Sequence, residues 1–368
     1  MIKVCHITSV HRSDDTRVFH KECVSLAQAG YDVTLIAPGE SREDNGVHVI
    51  GMGEKPKSTL KRLFSGMPRK VCSRAVAEKA DVYHLHDPEL LPYALKLRRR
   101  GSAVIFDSHE FYERIMLEKS FLPKFARMPI ARLYHVYETA VIRRIDAVVT
   151  PCTLKGKNVF ENRAKRTVFV DNLPRLDHFA PAKVPVQAED NTVGYVGGVT
   201  YQRGAETMIR AAFLAGAKLR LAGAAWSAYQ PVLEALDEYT CTESLGPIPY
   251  CTVPDFCRTL HVGLSLLLKV GQYALLDNLP TKVYEYLGCG VPVILSDTDA
   301  AKKFTAKYDC GMCVDPEKPE EAAKAIRYLL DHPEEARRMG ENGRRAVWEE
   351  YNWATEEKKL LALYAELT

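Results

Sequence analysis

The sequence predicts an α/β protein made of two doubly wound domains in series, and three observations carry that expectation. Its 368 residues are more than one hydrophobic core readily fills. Short apolar runs alternate with helical patterns, as parallel βαβ units require. The alternation stops near Asn172 and then restarts. Residues 171–191 hold three prolines and no periodicity, the texture of a connection between domains.

The elements follow in order. Val4–Thr8 reads as a buried first strand rather than a leader segment, because polar residues interrupt it too soon. A helix is expected over Val18–Ala29, ended by Gly30, then strands at Asp32–Ala37 and Val47–Gly51. Thr59–Ala80 has helical character. Val82–His86, Ala103–Asp107 and Ala147–Thr150 are strands, with helices at Glu89–Arg99 and Pro129–Arg144 between them. After the break come strands at Thr192–Val196, Lys218–Ala222, Val262–Leu267 and Val291–Leu295, with a helix at Ala205–Ala215. Helices at Pro319–Leu330, Pro333–Glu350 and Ala354–Leu367 close the chain. The implied divisions are residues 1–175, residues 176–350 and a last helix over 351–368.

Apolar content of 46% and charged content of 26% are those of an ordinary water-soluble protein, and no run of about 18 apolar residues is present. Ten scattered cysteines fit a reducing cytoplasm better than a disulfide scaffold. Cys310 and Cys313 form one isolated pair without the second pair that a zinc site needs, so no metal site is expected. The net charge of +3 hides an asymmetry: 30 basic against 21 acidic residues over 1–180, and 20 against 26 over 181–368. A basic first half favours an anionic partner or surface, and a solvated face of mixed charge is the commoner outcome. Nothing points to nucleic acid.

The most informative stretch is Asp277–Asp297. Pro280 suits a first helical turn, so backbone N–H groups near Leu279, Thr281 and Lys282 converge on one spot. The helix dipole and Lys282 make that spot an anion site. Glu285, one turn further in, is placed to accept from hydroxyls beside the anion. A phosphate next to a diol describes a nucleotide ribose. An ordinary capped helix before a strand accounts for the same pattern.

Other motifs sit where strands end, which is where open parallel sheets bind ligands. Gly197-Gly198 lets a backbone approach a ligand, and Arg203 is able to grip phosphate. The spacing matches neither a Walker loop nor a dinucleotide fingerprint. His109, in Asp107-Ser-His-Glu, is a candidate donor to a sugar hydroxyl or to a reacting carbon's charge, or else a capping residue. His84 and His86 alternate on one strand face. Metal binding is the tempting reading, and a polar strand end with Asp87 or Pro88 starting the next helix is favoured over it. The loop Ser9–Arg17 lacks the glycines of a dinucleotide site, and its donors suit a polyol. Lys55–Val71 mixes cations with Leu60, Leu63, Phe64 and Met67, as a peripheral anchor on anionic lipid or a surface helix on the sheet would.

On these residues the chain resembles the retaining family 4 glycosyltransferases (glycosyl transferases group 1). The resemblance implies the GT-B architecture, two Rossmann-like domains facing a central cleft, with the last helix crossing back to the first. It implies transfer of a hexosyl unit from a nucleotide diphosphate sugar, UDP- or GDP-linked, to a glycan or lipid-linked acceptor, with retention and without metal or other cofactor. Surface polysaccharide or glycolipid synthesis in the cytoplasm, with peripheral membrane contact, is the setting implied. Residue by residue, Glu285 takes the ribose place, and Asn278, Leu279, Pro280, Thr281 and Lys282 the diphosphate place. Gly197, Gly198 and Arg203 form the glycine-rich turn. Gly198 stands where the family often has Arg, and Arg203 where it has Lys. Asp277 takes the place of a longer Glu at the donor sugar. His109 matches the histidine facing that sugar. The acceptor side is expected from His11, Arg12, Arg17 and His86. A nucleotide-sugar 2-epimerase and a non-catalytic subunit of the same fold are the rival readings.

Overall fold

The computed structural model describes residues 1–54, 66–98, 101–118, 122–179, 191–225 and 228–368. The segment Lys55–Val71, read above as an anchor, lies for the most part outside the described residues, as do residues 180–190 of the proline-containing stretch. The chain forms two units: Met1–Asn172 with Ala354–Thr368, and Leu173–Trp353.

In the first unit the apolar runs become an eight-stranded sheet. Its strands are β1 (Lys3–Ile7), β2 (Asp32–Ala37), β3 (Arg42–Asp44), β4 (Val47–Gly51), β5 (Val82–Leu85), β6 (Ala103–Asp107), β7 (Ala147–Thr150) and β8 (Thr167–Phe169). Their order is β3-β4-β2-β1-β5-β6-β7-β8. All neighbours are parallel except β3 on β4. β5 and β7 are buried end to end and β2 from Val33 onward, which is why they read as continuous apolar runs rather than alternating ones. The β3–β4 hairpin was not expected. Asn45 and Gly46 form its two-residue turn, both with positive φ (51° and 75°), the geometry that Asn-Gly favours.

Two helices differ from expectation. The first begins at Thr16, and Thr16–Cys23 is wound as a π-helix before Val24–Gln28 continues as α-helix. The helix expected to start at Pro129 instead runs Lys124–Ile142 with that proline inside it. A proline there forgoes one backbone bond, and Pro129 lies on the exposed side, where water can serve the freed carbonyl. The final helix, Trp353–Leu367, follows the second unit in sequence, and from Ala354 onward it belongs to the first. It buries Leu360, Leu363 and Tyr364, and Glu356 accepts from the Asp171 backbone N–H at 2.9 Å.

The second unit is a six-stranded, all-parallel sheet. It comprises β9 (Thr192–Val196), β10 (Lys218–Ala222), β11 (Thr242–Ser244), β12 (Val262–Ser265), β13 (Val293–Ser296) and β14 (Gly311–Val314), in the order β11-β10-β9-β12-β13-β14. The helix Ala205–Ala215 starts at Gly204, whose φ is +71°. A Cβ on Gly204 would lie 1.9 Å from the Leu266 carbonyl oxygen, so only glycine lets this helix pack against the end of β12. The helix Thr281–Gly288 packs its apolar face on the sheet, and the Tyr286 hydroxyl accepts from the Val196 backbone N–H at 2.9 Å. Pro280 is not in its first turn, as expected, but is the extended residue before it (φ −59°, ψ 142°).

Candidate active site

Each unit carries a polar cluster where its strand order reverses, at the carboxyl ends of the strands.

In the second unit the reversal lies between β9 and β12. Gly197 follows β9 with φ +124°, and a Cβ there would sit 2.9 Å from Lys282 Nζ and 3.5 Å from Arg203 Nη1. The glycine therefore leaves room beside two cations. Lys282, from the first turn of Thr281–Gly288, is buried, donates to the Tyr195 hydroxyl at 2.7 Å, and lies 3.9 Å from the centre of that ring. Burial, and then the neighbouring Arg203 charge, push its pKa well below the usual lysine range. Burial also opposes the Arg203 charge, but the oxygens of Tyr195 and Tyr273 outweigh it and keep the guanidinium cationic. Tyr195 donates onward to the Gly198 carbonyl at 2.9 Å. Two cations with a shared phenol and an open glycine between them form a place for an anion. Leu279 is buried behind the turn, and Asn278 and Thr281 are half-buried. Asp277 is exposed. Glu285 is buried one turn beyond Lys282, and its charge reaches Tyr250, whose phenol burial has already raised.

In the first unit the reversal lies between β1 and β5. Asp87 does not cap the following turn with its side chain. Its carboxylate holds the loop after β1, accepting from the Ser9 N–H at 2.6 Å and the Thr8 hydroxyl at 3.0 Å. Asp15 caps the π-helix, accepting from the N–H groups of Arg17 (2.9 Å) and Val18 (3.0 Å), and its other oxygen meets His11 Nδ1 at 3.0 Å. Burial works against charging His11, but Asp15, with Asp87 and Asp107 beyond it, raises its pKa. The rings of His11 and His109 lie 4.5 Å apart, both half-buried.

Behind them the residues are fully buried. Arg17 Nε donates to Asp107 at 2.9 Å and Nη1 to the Val170 carbonyl at 2.9 Å. Burial disfavours the Asp107 carboxylate, yet Arg17 and His109 hold it well below the usual range. Glu22 is driven the opposite way, by burial first and then by Asp107, although Arg17 Nε lies 3.0 Å from it. His109 Nε2 is 3.2 Å from Asp107 and 3.1 Å from His86 Nδ1. His86 Nε2 is 2.8 Å from His6 Nδ1, and Tyr364 joins His6 (3.1 Å) to His84 (2.8 Å). Burial lowers the pKa of all three inner histidines, that of His86 to about 4. A row of neutral imidazoles thus runs from the final helix to His109.

His6, Glu22, His84 and His86 are close enough to share a cation, as are His86, Asp107 and His109. Glu22 Oε2 lies 3.9, 4.0 and 3.9 Å from nitrogens of His6, His84 and His86. The His6–His86 separation of 2.8 Å is a hydrogen bond, shorter than the roughly 3.3 Å between two nitrogens on tetrahedral zinc. As folded, the histidines serve one another.

Of the acceptor-side expectations, His11 alone is in reach of solvent beside His109. Arg12 is exposed and paired with Asp14 at 2.9 Å, while Arg17 and His86 are spent inside the fold. Sequence reasoning did not single out Tyr195, His6, Glu22 or Tyr364. His6 had a signal, being a polar residue inside the first apolar run. Tyr364 had none, because it lies 280 positions from His84.

Comparisons with known proteins agree with the two-unit α/β fold. Residues 16–171 match the family described as glycosyl transferase 4-like domain, and residues 203–362 the one described as glycosyl transferase-like. Sucrose-phosphate synthase from Thermosynechococcus elongatus is similar in structure over 100% of this chain and 99% of its own, with a TM-score of 0.75 at 16% identity. HepE of Anabaena, solved in complex with UDP-glucose, is similar over 100% of both chains, with a TM-score of 0.73 at 13% identity. A curated relative, the MMP alpha-(1->4)-mannosyltransferase of Mycolicibacterium hassiacum, is 28% identical over 106 residues. That match spans about a quarter of either chain (27% of this one, 26% of the relative).

Proposed function

The chain belongs to the group 1, family 4-like glycosyltransferases of GT-B type, and we propose that it moves a hexosyl unit from a nucleotide diphosphate sugar to a hydroxyl of a glycan or lipid-linked acceptor, with retention. The observation that carries the donor assignment is the pairing of Lys282 with Arg203 beside Gly197. A buried lysine whose charge is disfavoured by a second cation is relieved by an anion, and a diphosphate supplies it. HepE, similar in fold, is solved with UDP and with UDP-glucose, which favours a UDP-sugar here.

The chemistry follows from that placement. The bond from the sugar's reacting carbon to the diphosphate breaks, and its electron pair leaves on a phosphate oxygen. Arg203, Lys282 and the N–H groups at Thr281 offset the growing charge. The acceptor oxygen bonds to the same face of that carbon, and its proton passes to the departing diphosphate. Glu285 takes the ribose hydroxyls. His109 takes the role that the family resemblance gives it, a donor to the sugar being transferred.

A thermal-shift series with UDP, GDP and ADP, then their sugars, tests the donor. Ligand at a hundred times its dissociation constant stabilises by about 2.7 kcal/mol, a shift of several degrees. One nucleotide series is expected to stand out, and its sugar to release nucleotide diphosphate faster when an acceptor is added. Release that ignores every acceptor would favour hydrolysis or epimerisation instead.

A further inference from the structure

Asp107 ends β6, and His109 follows it by two residues. Residues two apart on extended backbone share a side, so the strand that buries the carboxylate also delivers the imidazole beside it. The backbone between them is pinned. The Ser108 N–H donates to the Val149 carbonyl at 2.8 Å, and the Ser108 hydroxyl to the Glu110 carbonyl at 2.9 Å. The carboxylate is held in turn by Arg17, with Nε 2.9 Å from Oδ2 and Nη2 3.2 Å from Oδ1, the two-pronged grip that fixes its plane. Arg17 is aimed by the π-helix Thr16–Cys23. An α-helix would turn Glu22 about 140° away from Arg17. Winding with i→i+5 bonds brings the two to one side, and Glu22 Oε1 lies 3.0 Å from Arg17 Nε. Asp107 and Arg17 are buried, so neither reaches a substrate, whereas the His109 side chain is 12% exposed.

We propose that Asp107, gripped by Arg17, is a positioning residue for transfer: it fixes a proton on His109 Nε2 and leaves Nδ1 as the ring atom that meets the transferred sugar. The inference rests on the sugar-facing role given to His109 above. Asp107 Oδ2 lies 3.2 Å from Nε2, and a bare nitrogen there would set two lone pairs against each other. His86 does not alter this. Its Nδ1, 3.1 Å from the same nitrogen, either shares that hydrogen as an acceptor or donates its own to Asp107 at 3.5 Å, and Nε2 keeps its proton in both arrangements. A ring carrying both protons donates to Asp107 from Nε2 and to the sugar from Nδ1, which is the form a donor needs.

Nuclear magnetic resonance on chain labelled with nitrogen-15 histidine reads the ring directly. His109, assigned by the signals lost in His109→Ala, is expected to keep a protonated Nε2 on both sides of neutral pH, with only Nδ1 responding to pH. A bare Nε2 with the proton on Nδ1 overturns the proposal. Transfer kinetics give the second readout. Asp107→Asn is expected to lower kcat roughly tenfold or more and to change the KM for the nucleotide sugar by less than about twofold. Glu22 stands ready to pair with the cation that this change frees, so the variant is expected to fold. In a His109→Ala background the same change is expected to cost nothing further, because no ring remains to be oriented. An equal loss in that background overturns the proposal, as does an Asp107→Asn chain with the wild-type kcat. A His109→Ala chain that transfers as fast as wild type would instead remove the sugar-facing role itself, and the ring spectrum judges the positioning separately.

Discussion

Lys282 shows how one buried residue carries a cost that the proposed anion would relieve. Its charge is disfavoured by burial and by Arg203, so the empty site is destabilised by it. Lys282→Met keeps the stem and removes the charge. It is expected to stabilise the ligand-free chain by about 1 kcal/mol or more, seen as a higher melting temperature, and to erase the stabilisation given by a nucleotide diphosphate. Melting curves with and without nucleotide check both halves at once. Glu285→Ala is expected to weaken nucleotide binding by about 1.5 to 3 kcal/mol, the range for hydrogen bonds to a charged group, and calorimetric titration measures it. An unchanged dissociation constant would remove Glu285 from the ribose. The residues Lys282 and Glu285 were legible in sequence because a helix fixes their spacing. Tyr195, the partner of Lys282, was not, because it comes from a strand 87 positions away.

At the scale of elements, the strand-to-helix turn at Gly204 is the least replaceable. Gly204→Ala would force a left-handed φ on alanine and drive its Cβ into the Leu266 carbonyl. A loss of about 3 kcal/mol or more is expected, read as a drop in the denaturant midpoint with nucleotide binding weakened because Arg203 shifts. The long strands and closing helices follow the sequence closely, since apolar runs and 3.6-residue periods are local signals. The departures have local causes too. The β3–β4 hairpin announced itself through Asn45-Gly46, a signal that was present but unused. The helix through Pro129 and the extended Pro280 both contradict the rule that proline begins a helix. In each case the surrounding fold, not the proline, sets where the helix starts.

For the whole molecule, the buried imidazoles couple stability to pH. His86 titrates near 4 in the folded chain and near 6.5 when unfolded, so the unfolded chain binds the extra proton. Stability from this group is complete above about pH 6.5 and is lost as pH falls toward 4. From pH 7 to pH 5 the loss from His86 alone is about 2 kcal/mol, and His6 and His84 add to it in the same direction. Asp107, held low by Arg17, contributes stability that persists to lower pH and disappears only as that carboxylate protonates. Melting temperatures across pH 5 to 8 are expected to fall on the acid side, and His86→Asn to flatten the slope.

The sequence alone determined the two sheets, the break between them, and the short helix that carries Lys282 and Glu285, because each is written in short-range spacing. Tertiary structure decided which polar residues face solvent and which are consumed inside. Arg17 and His86 looked like ligand contacts and are instead bound to Asp107 and His6. It also decided that Tyr364, from the last helix, completes a histidine row begun on the first strand. Such pairings join residues 80 to 358 positions apart, and only packing against the sheet, which removes water and favours partners for buried polar atoms, selects them.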